Sequence, residues 1–123
     1  MSADQLIAHA LDLFAPLGPG VTARKMFGAL GFYAGGRFFA VGDVEEGALY
    51  LKVDDLTRAD FVAAGMGPFM PFGDGGEVMQ YYELPADVLE EPDRLKPWVE
   101  KAIEVARRAR LAKRPAPKKK PKR

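Results

Sequence analysis

Residues 24–55 read RKMFGALGFYAGGRFFAVGDVEEGALYLKVDD, and this stretch decides the fold. Turn residues at Gly28, Gly35-Gly36, Gly42-Asp43 and Glu46-Gly47 divide it, with its N-terminal flank, into four short runs. The runs are Thr22–Phe27, Leu30–Ala34, Arg37–Val41 and Ala48–Val53, each rich in aromatic and branched aliphatic residues. Short runs of that composition, separated by tight glycine turns, predict consecutive strands of an antiparallel meander.

Upstream, Leu6, Ile7, Ala10, Leu11, Leu13 and Phe14 recur at helical spacing, which predicts a first helix over 4–17. Ser2 and Gln5 stand three apart, as a capping box requires. Downstream, LTRADFVAAG predicts a second helix opened by Asp54 or Asp55 and stopped by Gly65, with Leu56, Phe61, Val62 and Ala64 facing inward. Residues 67–76 carry two prolines and four glycines and read as a loop, with an extended piece over 69–72. Residues 77–84 (EVMQYYEL) predict the last strand, in a two-sided environment because neither alternating set is polar. A helical turn over 85–90 follows, then a third main helix from Pro92 to about Arg110. Its apolar stripe is Leu95, Val99, Ala102, Ile103 and Ala106, with Trp98 beside it and Pro97 placed in the first turn. The fold class is α+β: a mostly antiparallel sheet of five to six strands flanked by helices, in the order α-β-β-β-β-α-β-(β)-α.

Charge divides the chain in two. Residues 110–123 hold Arg110, Lys113, Arg114, Lys118, Lys119, Lys120, Lys122 and Arg123, and no acid. Removing those eight from the 18 cations leaves 10 against 17 anions in residues 1–109, a net of −7. The domain is therefore assigned to 1–109 and a disordered Lys/Pro tail to 110–123. Prolines 115, 117 and 121 keep the tail's charges spread, and it has too little apolar surface to fold alone. A polycation of this kind binds DNA or RNA by releasing counterions, without sequence preference and with steep salt dependence. The competing readings are a solubilising tail or one folded back on the acidic body. Stable membrane attachment would need an adjoining apolar anchor, which the tail lacks.

The inventory for catalysis is thin: one His, one Ser, two Thr, no Cys and no Asn. A Ser/His pair would have to use Ser2, and His9 reads as a helical surface residue. Without Cys there are no disulfides or thiolate metal sites, and the chain fits a reducing cytoplasm. Asp54-Asp55 with Asp60, and Asp43 with Glu45-Glu46, offer oxygens but no EF-hand spacing; they read as a helix cap and a solvated hairpin. Glu83 and Glu90-Glu91 lie in polar sequence and read as solvated surface. The GXXG of residues 28–31 lies between predicted strands, not the helices that flank a KH-type loop. The N-terminus lacks the basic start of a signal peptide, and no apolar run reaches the roughly 18 residues a membrane span needs.

Several words of the sequence, in order, resemble the TfoX/Sxy N-terminal domain family: RKMFG (24–28), LGFY (30–33), LYLKVDD (49–55) and YYELP (81–85). The resemblance covers roughly Leu6 to Ala106. It implies a small α+β unit whose antiparallel sheet is flanked by helices. It also implies regulators of natural competence that act with a cyclic-AMP-responsive transcription activator and catalyse nothing. Arg24, Lys25, Met26, Phe27, Gly28, Tyr50, Lys52 and Asp54 match family words. Full-length regulators of this kind carry a second helical domain where this chain has its basic tail.

Arg24, Lys25, Arg37 and Lys52 are interleaved with Phe27, Phe32, Tyr33, Phe38, Phe39 and Tyr50 of the meander, and form the body's candidate surface for a partner or nucleic acid. Either the sheet stacks bases, or the aromatics are core and the cations line a solvent face. The sequence is read as a cytoplasmic, non-enzymatic accessory regulator without cofactor or metal. Its partners would be DNA or a transcription-related protein, with a homodimer left open. A protein-binding adaptor without DNA contact is the first alternative. A small-ligand-binding protein or an unrecognised enzyme is the second.

Overall fold

The computed structural model describes residues 2–18, 20–26, 29–69 and 80–113. Helix α1 spans Ala3–Phe14 and runs into a 3₁₀ turn at Ala15–Leu17. Its start is the expected capping box. Ser2 Oγ accepts from the Gln5 amide at 3.1 Å, and Gln5 Oε1 accepts from the Ser2 amide at 2.9 Å.

Strands β1 (Val21–Met26), β2 (Ala29–Ala34), β3 (Arg37–Asp43), β4 (Ala48–Lys52) and β5 (Tyr81–Glu83) form one antiparallel sheet whose spatial order follows the chain. The four runs of the quoted stretch are thus the first four strands. The turn between β2 and β3 is Gly35-Gly36, at φ +58° and +80°. Two successive positive φ values match the hairpin's twist, and glycine adopts them without a Cβ clash.

One feature of β3 was not legible in the sequence. Phe32 pairs with Ala40, but Tyr33 pairs with Phe38, so Phe39 is an extra residue at a β-bulge. The bulge breaks strict alternation. Phe39 and Ala40 are both buried in the main core, whereas Phe38 and Val41 belong to a second apolar cluster.

The main core lies between the sheet and the helices. Phe14 of α1 meets Phe32 edge-on at 5.6 Å and Phe39 at 5.3 Å, and all three rings are fully buried. Helix α4 (Pro92–Lys113) contributes Leu95, Val99, Ala102, Val105 and Ala106, while Ile103 and Trp98 are partly buried against the same core. Gly42 lets α1 sit close to the sheet. A Cβ there would lie 3.2 Å from Leu6 Cδ2 and 3.2 Å from Phe32 Cε2.

The helices depart from expectation in three places. Helix α2 (Arg58–Ala63) is shorter than expected, and of the four residues assigned inward only Phe61 is buried. Leu56 is 80% exposed, Val62 58% exposed, and Ala64 is exposed. Six helical residues make under two turns, too few for spacing to fix a buried face. Pro97 lies inside α4, because the helix starts at Pro92 and Pro97 is its sixth residue. It donates nothing to the carbonyl four residues earlier. Helix α4 also runs to Lys113, past the expected end near Arg110. Helix α3 (Ala86–Leu89) realises the expected turn, and Gly65 follows α2 as its stop. Phe69 donates to the Tyr81 carbonyl at 2.7 Å, which fixes the start of the expected extended piece. Residues 70–79, with the rest of that piece and the first part of the expected last strand, lie outside the described residues.

Candidate functional site

The register sorts the four body cations between the two faces of the sheet. Arg24 and Lys52 lie on the face turned away from α1 and α4; Lys25 and Arg37 belong to the helical side. Lys25 pairs with Asp4 of α1 at 3.3 Å, both well exposed. Arg37 is half-buried and near enough to Glu104 of α4 to help lower that carboxyl's pKa. The four do not form one patch.

On the outer face the aromatics form a row across the sheet. The Arg24 guanidinium lies 5.9 Å over the Tyr33 ring. Tyr33 stacks on Phe38, centroids 5.1 Å apart and planes 23° from parallel. Phe38 packs against Tyr81 at 5.3 Å. Lys52 Nζ closes the row, 5.0 Å over the Tyr81 ring and donating to its hydroxyl at 3.3 Å. A cation thus stands at each end of three rings, drawn by their negative faces. Tyr50 pairs with Phe69 beside this row at 5.0 Å.

The row is not equally open along its length. Tyr50 is 9% exposed and Tyr81 5%, while Tyr33 and Phe38 are half-buried and Arg24 and Thr22 are exposed. Burial pushes the Tyr81 phenol up to about 12, with Tyr33 adding to it. Burial likewise pushes Tyr50 up to about 12, helped by the negative charge of Glu83, Asp43 and Glu46. Both phenols keep their protons at neutral pH. At the β1–β2 end a hollow of about 300 Å³ opens, lined by Thr22, Arg24, Tyr33 and Gly36.

A second set of charges ties the helices together. Arg108 of α4 reaches Asp54 at 2.6 Å, and Lys101 reaches Asp60 of α2 at 3.2 Å. Burial alone would raise the Asp54 carboxyl. The Thr57 amide, the Arg108 guanidinium and the Leu56 amide outweigh that and hold its pKa below the ordinary value. Asp54 accepts from the Leu56 and Thr57 amides at 2.9 Å each, shaping the turn before α2. Arg58 bonds to Gln80 and pairs with Asp55 at 3.0 Å. Arg107 holds Glu104 through two hydrogen bonds, and the Arg107 guanidinium lowers that carboxyl's pKa. Of the acids considered as metal ligands, Asp54, Asp55 and Asp60 stand in ion pairs, and Asp43 accepts from the Glu45 and Glu46 amides. Ser2 caps α1, and His9 is exposed on it.

The tail cations divide at the end of α4. Arg110 and Lys113 are within the helix; residues 114–123 lie outside the described residues. Tyr33, Phe38 and Tyr50 stand among the aromatics expected on the meander, whereas Thr22 and Tyr81 have no local signal that would place them here. Tyr81 joins the row through a strand pairing 29 residues away from Lys52, which no local pattern reveals.

A family model, the TfoX N-terminal domain, matches residues 12–106. The chain belongs to the TfoX N-terminal domain family. The match takes in the whole sheet, α2, α3 and most of α4. The TfoX N-terminal family is a regulatory, non-enzymatic domain family linked to competence regulation. No curated protein matches the chain. Among the described residues no helix is long and apolar enough to cross a membrane.

Proposed function

We propose that this TfoX N-terminal domain protein is a cytoplasmic accessory regulator linked to transcription or DNA, held near nucleic acid by its basic tail. The observation that carries the reading is the charge division, with eight cations and no acid in residues 110–123 beside a body of net −7. The helix end sharpens it. Arg107 and Arg108 are neutralised by Glu104 and Asp54, so the body's own carboxylates already hold the last arginines before the tail. Each tail cation that meets a phosphate releases a condensed counterion, and the acidic body resists closer approach. Contact of this type is independent of sequence.

The test compares the full chain with a chain ending at Lys113, which keeps α4 whole. Fluorescence anisotropy with two unrelated duplexes should show equal binding by the full chain. Affinity should fall by roughly a hundredfold or more between about 50 and 200 mM salt, and the shortened chain should not bind. Equal binding by both chains would overturn the tail's role.

A protein-binding adaptor is the second reading, favoured by Leu56 and Val62, the large apolar side chains left exposed among the described residues. Substituting both with Ser should abolish capture of a partner and leave duplex binding untouched.

A further inference from the structure

We propose that the hollow at the β1–β2 end of the outer face binds an unpaired nucleotide of a single-stranded nucleic acid. The base would stack on Tyr33, and Arg24 would hold the phosphate. The proposal rests on the nucleic-acid reading above and deepens it. The tail supplies affinity for any phosphate backbone, and the hollow distinguishes unpaired strands from duplex.

Four observations converge on it. Tyr33 is backed by Phe38 at 5.1 Å, so its ring is held flat as a platform. Its other approach is occupied by the Arg24 guanidinium at 5.9 Å, the outer limit of a cation–π contact, which a stacked base would readily replace. Arg24 is exposed and forms no ion pair with a carboxylate among the described residues, unlike Lys25, Arg58, Arg107 and Arg108. Its charge is therefore available to a ligand. Finally, the hollow of about 300 Å³ is of nucleotide size and is left open by Gly36, which has no side chain to fill it.

The hydroxyl of Thr22 completes the lining as a donor and acceptor toward a base edge. A base in a duplex has both faces stacked and cannot reach Tyr33, so the site selects single strands. Stacking on one ring is tolerant of sequence, because every base has a π-face. Lys52 sits at the far end of the row beside the buried Tyr81, away from the opening.

The experiment uses the full chain and two fluorescein-labelled probes: a thymidine oligonucleotide and a mixed-sequence duplex. The variants are Tyr33→Leu, Tyr33→Phe, Arg24→Gln and a tail variant with Lys118, Lys119, Lys120 and Lys122 all changed to Gln. Tyr33→Leu should weaken oligonucleotide binding about tenfold and leave duplex binding unchanged. Tyr33→Phe, which keeps the ring, should bind as the parent does. Arg24→Gln should weaken the oligonucleotide and lower its salt slope by about one. The tail variant should weaken both probes. Tyr33→Phe, with thermal melts of each variant, separates lost stacking from lost fold. If Tyr33→Leu binds the oligonucleotide normally while the tail variant loses it, the hollow proposal falls and the tail reading stands. If the tail variant binds duplex as tightly as the parent, the tail reading falls, and a Tyr33-dependent oligonucleotide signal still supports the hollow. Failure of the parent chain to bind either probe overturns both.

Discussion

The two faces of the sheet draw on the same aromatic-rich strands and put them to different uses. The helical face takes Phe32 and Phe39, sealed beneath Phe14, at zero exposure. The outer face takes Tyr33, Phe38, Tyr50 and Tyr81, with cations at both ends of the row. Three of those four outer rings carry a hydroxyl, and the two inner ones do not. A phenylalanine loses nothing by full burial, whereas a tyrosine needs a partner or water for its O–H. Tyr81 finds one in Lys52, and Tyr33 lies at the open end of the row. One face stores stability, and the other keeps polar and π chemistry within reach of solvent.

If that contrast is right, Phe32→Ala should be the most damaging single change, costing about 3–5 kcal/mol in denaturant unfolding. Phe38→Ala, on the outer face, should cost clearly less. Equal costs would mean that the outer face is as much a core as the inner one.

Alkali should strike the outer face first. Tyr50 and Tyr81 ionise near 12 in the folded chain, against an ordinary 10.0. A raised folded pKa means that the stabilisation is complete below pH 10 and is lost as pH climbs towards 12. Across that window the chain should lose on the order of 2 kcal/mol per phenol. Tyr81→Phe should remove one late-ionising phenol from a spectrophotometric titration. A parent chain showing no late phenol would refute the burial of this row.

The helix layer offers a smaller test of whether polar contacts add to the apolar seal. The Asp54 pKa is depressed when folded, so its contribution is full above the ordinary carboxylate range and disappears as pH falls through the folded value. Asp54→Asn should cost about 1 kcal/mol at neutral pH, and should flatten the acid limb of the stability curve. An unchanged acid limb would show that the Arg108 contact is idle. Smallest of all should be Lys25→Ala. Its pair with Asp4 is exposed on both sides, and its loss should cost a few tenths of a kcal/mol at most.

Much of this contrast could be read from residues alone. The first four strands lie within two residues of their expected ends, because Gly35-Gly36 and Glu46-Gly47 punctuate them; Gly42-Asp43, also read as a turn, instead ends β3 and pairs with β4. The capping box at Ser2 and Gln5 is spelled out locally. The bulge was hidden because Phe38, Phe39, Ala40 and Val41 are all apolar, so a slip in alternation leaves no trace in the pattern. The outward turn of Leu56 and Val62 was hidden because α2 is too short to show a period. The candidate site was half legible. Arg24, Lys52, Tyr33 and Phe38 were named together, but which of them share a face depends on pairing across five strands. Tyr81 entered only through that pairing.

The spatial order of the strands follows the chain, and that has a consequence for synthesis. Each of β2, β3 and β4 pairs with the strand made just before it, so those contacts are short in sequence and should form quickly, while β5 closes the sheet across 29 residues. Helix α4, which packs on β3 and β4, is the last of the described elements to be made. On a ribosome the emerging meander, covered at first by α1 alone, must therefore wait with part of its oily face bare until Leu95, Val99 and Ala102 arrive. In that interval the nascent chain is most exposed to aggregation and most in need of a chaperone.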